Sequence, residues 1–155
     1  MNRADLKDAL EHPNVRAFLK AIRLGEGTSD EEGYYRIVGG GTFKDDSQHP
    51  NVRIWIDRYK VWSTAAGAYQ IINRTWRGLL KQYDFPDFSP ECQDEAAVAL
   101  IAGRKALDDV KEGRFARAVE KCADEWASLP GSDAGQRTES FDAVLAVYLA
   151  NGGTV

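Results

Sequence analysis

The chain has 155 residues, 43% of them hydrophobic and 28% charged, with a formal net charge of −4. That length favours a single domain, residues 1–155, with room for a real core. The acidic balance excludes a global basic field for nucleic acid or an anionic membrane surface, and no run is apolar enough for membrane insertion.

The first eight residues, Met1 to Asp8, mix charges and lack the apolar centre of a secretory signal, so synthesis in the cytoplasm is expected. After Pro13, Val15, Phe18, Leu19 and Ile22 repeat at helical spacing, with Asn14 as the expected N-cap. Gly25 and Gly27 stop this helix and leave Glu26 at its C-terminal edge. Tyr34 to Val38 is aromatic and β-branched, hence strand-like; Gly39 to Gly41 makes a turn, and Thr42 to Lys44 returns as a second strand. Val52 to Ile56 fits either helix or strand, and Lys60 to Trp62 adds a short third strand.

From Gly67 the pattern turns helical, with Tyr69, Ile72, Trp76, Leu79 and Leu80 on one face and Tyr69 and Gln70 in the first turn. Ser89, Pro90 and Glu91 form a strong helix start, for a helix running through Val98 and Ile101 toward Leu107. Phe115, Val119, Cys122 and Trp126 make another helical stripe. Leu129 to Gly135 reads as a surface loop. Thr138 then caps a last helix bearing Phe141, Val144, Leu145 and Tyr148, stopped at Gly152 and Gly153. The expected fold is α+β: two lobes, a small antiparallel β element and a mainly helical remainder, with Glu26 at the junction.

Two cysteines, Cys92 and Cys122, sit inside predicted helices without metal-ligand spacing; buried free thiols lead, and a disulfide is the alternative. His12 and His49 stand alone, and the glycine run at 39–41 lacks the Lys-Ser/Thr of a phosphate loop. No metal or cofactor is expected. Glu26 is the one group whose position suggests chemistry. A carboxyl at a helix end facing a groove suits a proton donor for glycan cleavage; the alternative is a solvated acid beside a glycine stop.

A colinear set of short motifs spans nearly the whole chain. It comprises Gly25-Glu26-Gly27-Thr28, Ile37-Val38-Gly39-Gly40, His49-Pro50, Ser63-Thr64, Ala66-Gly67, Tyr69-Gln70, Phe88-Ser89-Pro90, Gln93-Asp94, the stretch from Trp126 to Gly131, and Gly152-Gly153-Thr154-Val155. The set resembles the lambda-type lysozymes, phage endolysins that are lytic transglycosylases. The resemblance implies a lysozyme-like fold that cleaves the MurNAc–GlcNAc β-1,4 bond of peptidoglycan. The family's single catalytic acid maps onto Glu26, and its two lips map roughly onto 52–62 and 128–137. Ala66 and Ala68 depart from the family pattern, and residues 51–62 carry an aromatic insertion, which bears on lip shape and subsites. The implied partners are peptidoglycan glycan strands. A monomer made in the host cytoplasm would act in the periplasm after release by a holin.

Protonating a glycosidic oxygen needs a carboxyl still protonated near neutral pH, which partial burial provides. Asp45 matches a family aspartate and is a sugar-binding candidate, with a solvated turn as its alternative; Asp46 reads as a turn acid. Ser63 and Thr64 belong to the matched cleft stretch. Gln70 can bond an N-acetyl group through donor and acceptor, while Tyr69 either faces a sugar or packs in the core. Trp62, like Trp55, either stacks on sugar or packs; Trp76 and Trp126 read as core. Hydrolysis on the same fold and a non-catalytic wall-binding module are the competing functions.

Overall fold

The computed structural model describes residues 1–131 and 139–155. It begins with a helix that the sequence reading does not name, α1 (Arg3–Leu10). Its signal is local: Asn2 accepts from the Asp5 N–H at 3.0 Å while the Asp5 carboxylate accepts from the Asn2 N–H at 2.8 Å. This reciprocal cap satisfies two orphan donors. Leu6 and Ala9 are buried, and Arg3 pairs with Glu95 at 3.0 Å, docking α1 on α4 (Pro90–Gly103).

Helix α2 (Pro13–Glu26) buries the expected face of Val15, Phe18, Leu19 and Ile22. Its N-cap is His12 rather than Asn14: the imidazole Nδ1 accepts from the Asn14 N–H at 3.1 Å, and Pro13 takes the first helical position. Asn14 instead turns inward. Its amide donates to the Lys111 carbonyl at 3.1 Å and accepts from the Thr154 N–H at 3.0 Å, pinning the C-terminus to the core. The helix stops where Gly27 turns left-handed at φ +70°.

The segment expected as a strand at Tyr34 is a 3₁₀ helix, Glu31–Tyr35. Tertiary bonds override β propensity here, because the Tyr34 hydroxyl reaches Asp94 at 2.9 Å and its ring lies 4.5 Å from the Arg23 guanidinium. Beyond it the expected hairpin survives as a single antiparallel bridge, Arg36 with Thr42, around Gly39 and Gly40 at φ +89° and +102°. The ambiguous stretch at 52–56 is a strand. β1 (Ile54–Ile56) pairs antiparallel with β2 (Val61–Ser63), Trp55 opposite Trp62.

Helix α3 (Asn73–Tyr83) starts six residues later than Gly67. Gly67 at φ +83° and Gln70 at φ +49° are left-handed and cannot join a right-handed helix. Helix α4 starts as expected, with Ser89 accepting from the Cys92 N–H, but ends at Gly103; Leu107 opens α5 (Leu107–Lys111). Helix α6 (Phe115–Cys122) ends before Trp126, and α7 (Phe141–Ala150) is capped by Ser140. The proposed cap Thr138 and the loop residues 132–135 lie outside the described residues. Cys92 and Cys122 are free and buried. Buried side chains from Leu6 to Tyr148 form one continuous cluster, with Trp76, Tyr69, Tyr148, Phe18 and Phe88 its largest fully buried members. No helix of the described residues is long and apolar enough to cross a membrane.

Candidate active site

Glu26 is the last residue of α2, and three features fix where its carboxyl goes. The left-handed Gly27 turns the chain away immediately after it. Arg23, 3% exposed, reaches back along the helix and donates to the Thr28 carbonyl at 2.9 and 2.6 Å and to the Asp30 carbonyl at 2.8 Å. Gly25 lets the segment after α6 approach closely: a Cβ there would lie 2.4 Å from the Ser128 hydroxyl oxygen. Ser128 then donates to Glu26 Oε1 at 3.1 Å.

The carboxyl is half-buried on the wall of a cleft of about 710 Å³. The cleft runs between the end of α2, the turn at Val38 and Gly39, the inner face of the β ribbon and Trp126. Such a volume suits a sizeable ligand rather than a water molecule. Burial pushes the Glu26 pKa up from 4.5 to about 7, and the Ser128 hydrogen bond pulls against that rise by favouring the charged form. The sign gives a test. In Ser128→Ala the donor is lost, so the Glu26 pKa climbs further. If Glu26 is the proton donor, the alkaline limb of kcat/KM in that variant moves to higher pH. A limb that stays put or moves down separates Ser128 from the ionisation.

Of the residues singled out in the sequence, Glu26, Ser63 and Gln70 line this cleft. The Gln70 amide donates to the Gly67 and Arg36 carbonyls at 2.8 and 3.2 Å, which spends its NH₂ on the backbone and leaves Oε1 as the group for a ligand. Four others lie elsewhere. Tyr69 is 2% exposed and its hydroxyl donates to half-buried Asp94, so it is a core residue. The Thr64 hydroxyl accepts from the Asn73 N–H at 2.8 Å and so caps α3 from a distance. Asp45 is exposed and accepts from the Ser47 N–H at 2.9 Å in a local turn. Trp62 is 56% exposed with its ring 5.4 Å from Trp55. Side chains alternate across a strand, so the ribbon that turns Ile56, Val61 and Ser63 into the cleft turns Trp55 and Trp62 to the other face.

Sequence reasoning placed Ser128 only within the 126–131 motif and the second lip and missed its bond to Glu26, 102 residues away. It also missed Tyr59, Glu125 and Glu139, which border the cleft. Glu125 is paired with Arg104 at 3.3 Å, and Asp46 accepts from the Tyr35 hydroxyl at 2.8 Å. Trp126, expected in the core, is 3% exposed; its indole N–H donates to the Tyr69 carbonyl at 3.0 Å and braces the cleft wall from behind.

A carboxyl whose pKa burial raises to about 7, at one end of an α helix in a groove between a β ribbon and a helical body, has the setting that a proton donor for glycoside cleavage needs. The comparisons with known proteins identify the family and the fold. The endolysin family model matches residues 16–155. The endolysin of Escherichia phage lambda is 38% identical over 146 residues, covering 90% of this chain and 92% of its own. The endolysin of Escherichia phage P2 is 39% identical over 157 residues, covering 92% and 94%. The solved structure of bacteriophage lambda lysozyme complexed with a chitohexasaccharide superposes with a TM-score of 0.87 at 37% identity, over 92% of this chain and 96% of that one. A second structure of lysozyme from bacteriophage lambda gives a TM-score of 0.83 at 36% identity over the same shares. The chain therefore has the lambda lysozyme fold and belongs to the endolysin family, the peptidoglycan-degrading enzymes of phage host lysis.

Proposed function

We propose that this endolysin opens the β-1,4 bond between MurNAc and GlcNAc by lytic transglycosylation, with Glu26 as acid and then base. The observation that carries the reading is the Glu26 carboxyl on the cleft wall, whose pKa burial raises to about 7. At that pKa a large fraction is protonated near neutral pH, yet the conjugate base is still competent to take a proton back.

The step balances without water. The Glu26 proton passes to the GlcNAc O4 as the bond from MurNAc C1 breaks. The Glu26 carboxylate then takes the proton of the MurNAc C6 hydroxyl, and O6 bonds to C1. The products are a GlcNAc 4-OH end and a 1,6-anhydro-MurNAc end, and Glu26 is protonated again. The nucleophile is tethered to the reacting sugar, so proximity replaces a positioned water. Lambda lysozyme has been solved with a chitohexasaccharide, and the cleft here is open along the ribbon in the same fold. The Gln70 carbonyl oxygen and the Ser63 hydroxyl are the polar groups we assign to sugar contact beside Glu26. No metal or cofactor enters this chemistry. On this reading the enzyme is made in the host cytoplasm and meets the wall once a holin opens the membrane.

A hydrolytic route has one observation in its favour: the Glu139 carboxylate also borders the cleft. A hydrolase would use it as nucleophile or as base for water. Mass analysis of muropeptides released from purified walls separates the two. Transglycosylation gives 1,6-anhydro ends, and Glu139→Gln keeps both the product and the rate. Reducing ends, formed at a rate that collapses in Glu139→Gln, would transfer the chemistry to a carboxylate pair. No released fragments at all from wild-type protein would leave only a wall-binding role.

A further inference from the structure

The net charge is −4, yet one groove of the surface is cationic. It has a volume of about 530 Å³ and lies along α3, where Arg74, Arg77 and Lys81 line it together with Asn51, Thr64 and Asn73. Spacing of three and four residues puts the three cations on one face of the helix. All three are exposed, and none forms an ion pair with any described residue. Arg36, Arg104, Arg114 and Lys121 each hold a carboxylate of the protein itself, while other exposed cations such as Lys44 and Arg117 are unpaired among the described residues too; what sets the groove apart is that three such cations share one helix face. Gly78, between the cations, meets nothing within 4 Å where a Cβ would stand, so this wall of the groove is open to a ligand.

The groove is continuous in sequence with the cleft. Ser63, the last residue of β2, lines the Glu26 cleft and the next residue, Thr64, lines the cationic groove, so the end of β2 is where the two meet in the chain. The cleft lining carries Glu26, Glu125 and Glu139 with Arg58 as a counter-charge, and suits the uncharged sugars of a glycan. Peptidoglycan also carries peptide stems with free carboxylates, which leave the strand sideways from MurNAc. We propose that the Arg74–Arg77–Lys81 groove binds the carboxylates of such a stem while the glycan lies in the cleft. Arginine forks match carboxylates geometrically, and Asn51 and Asn73 add amide groups for the peptide bonds. The groove would thus hold a strand in register and favour stem-bearing over bare glycan. This rests on the cleavage reading above.

The test compares Arg74→Gln/Arg77→Gln/Lys81→Gln with wild type on soluble glycan strands that keep their stems and on strands stripped by an amidase. On stemmed strands the triple variant should show a KM raised about tenfold with kcat kept, the sum of three exposed charge contacts of ordinary strength. On stripped strands the two proteins should match. Wild-type KM on stemmed strands should also rise with salt, because exposed charges are screened. Equal losses on both substrates, or none on either, overturn the proposal. So does loss of binding to anionic phospholipid vesicles in the variant with stemmed cleavage unchanged, which would make the groove a lipid contact. A second measurement keeps the groove apart from the chemistry: amidase-released stem peptide is titrated into Glu26→Gln protein. Amide NMR shifts clustered along α3, absent in the charge-neutral variant, support the site even if wild type cleaves neither strand. No shifts there refute it.

Discussion

Glu26→Gln is expected to remove wall cleavage while leaving the fold intact, with a rate loss of about 10² to 10⁴ from the general-acid contribution alone. Gln keeps the size of the side chain and can still receive the Ser128 hydrogen bond, but it cannot surrender a proton. In wild type, kcat/KM should fall as pH rises through about 7, where the carboxyl loses the proton that the leaving oxygen needs. A Glu26→Gln enzyme that clears walls at the wild-type rate would end the assignment.

The same substitution should stabilise the protein, with a definite pH dependence. The folded-state pKa of Glu26 is raised from 4.5 to about 7, so between these values the native state holds a proton that the unfolded chain releases. Its favourable share of stability is therefore present below pH 4.5 and lost as pH rises through 7, a swing of about 3 kcal/mol at most. Gln is neutral throughout and has no such swing. Urea unfolding at pH 8 should find Glu26→Gln more stable than wild type by up to about 3 kcal/mol, with the gap closing near pH 4. Equal stability at both pH values would mean that the carboxylate is well solvated. Stability surrendered for a buried acid is the usual trade at a catalytic position.

Arg23→Met is expected to be the most damaging single change outside the cleft. The guanidinium is 3% exposed and satisfies the carbonyls of Thr28 and Asp30 with three short bonds, while stacking on Tyr34. Methionine fills much of the volume but leaves the buried Thr28 carbonyl without these donors, at about 1–3 kcal/mol for the unmet group, with the lost cation–π contact on top. A total near 3 kcal/mol lowers Tm by about 10 °C in a chain of this size. Gly33 cannot move in to compensate, because a Cβ there would already sit 2.0 Å from the Thr28 carbonyl oxygen, so the loop is packed at the limit. Cleavage should fall as well, since this loop fixes the chain as it leaves Glu26. Thermal melts read the first effect, and turnover at a temperature where the variant is still folded reads the second. An unchanged Tm would show that the loop holds itself.

Much of this protein is legible as local pattern. The apolar face of α2, its glycine stop and Glu26 at that stop follow from helical spacing and left-handed glycine. The start of α4 follows from Ser89 and Pro90. The cap of α1 was equally legible, as Asn2 and Asp5 at reciprocal spacing, and the motif set pointed to the family. The errors at the site come from side-chain direction. Thr64, Tyr69 and Gln70 sit close together in the chain, but Gly67 and Gln70 are left-handed, and that twist sends their side chains to a helix cap, the core and the cleft in turn. Trp62 and Ser63 are neighbours that a strand points to opposite faces.

By itself, the sequence determined the elements that depend on contacts within a turn or two, and it determined that Glu26 ends a helix beside glycine. Only the tertiary structure decided the surroundings of that carboxyl. Its raised pKa comes from burial under a wall assembled from distant segments, and its hydrogen-bond partner, Ser128, is 102 residues away. Desolvation depends on everything packed around a group, and nothing in the neighbouring residues of the chain encodes it.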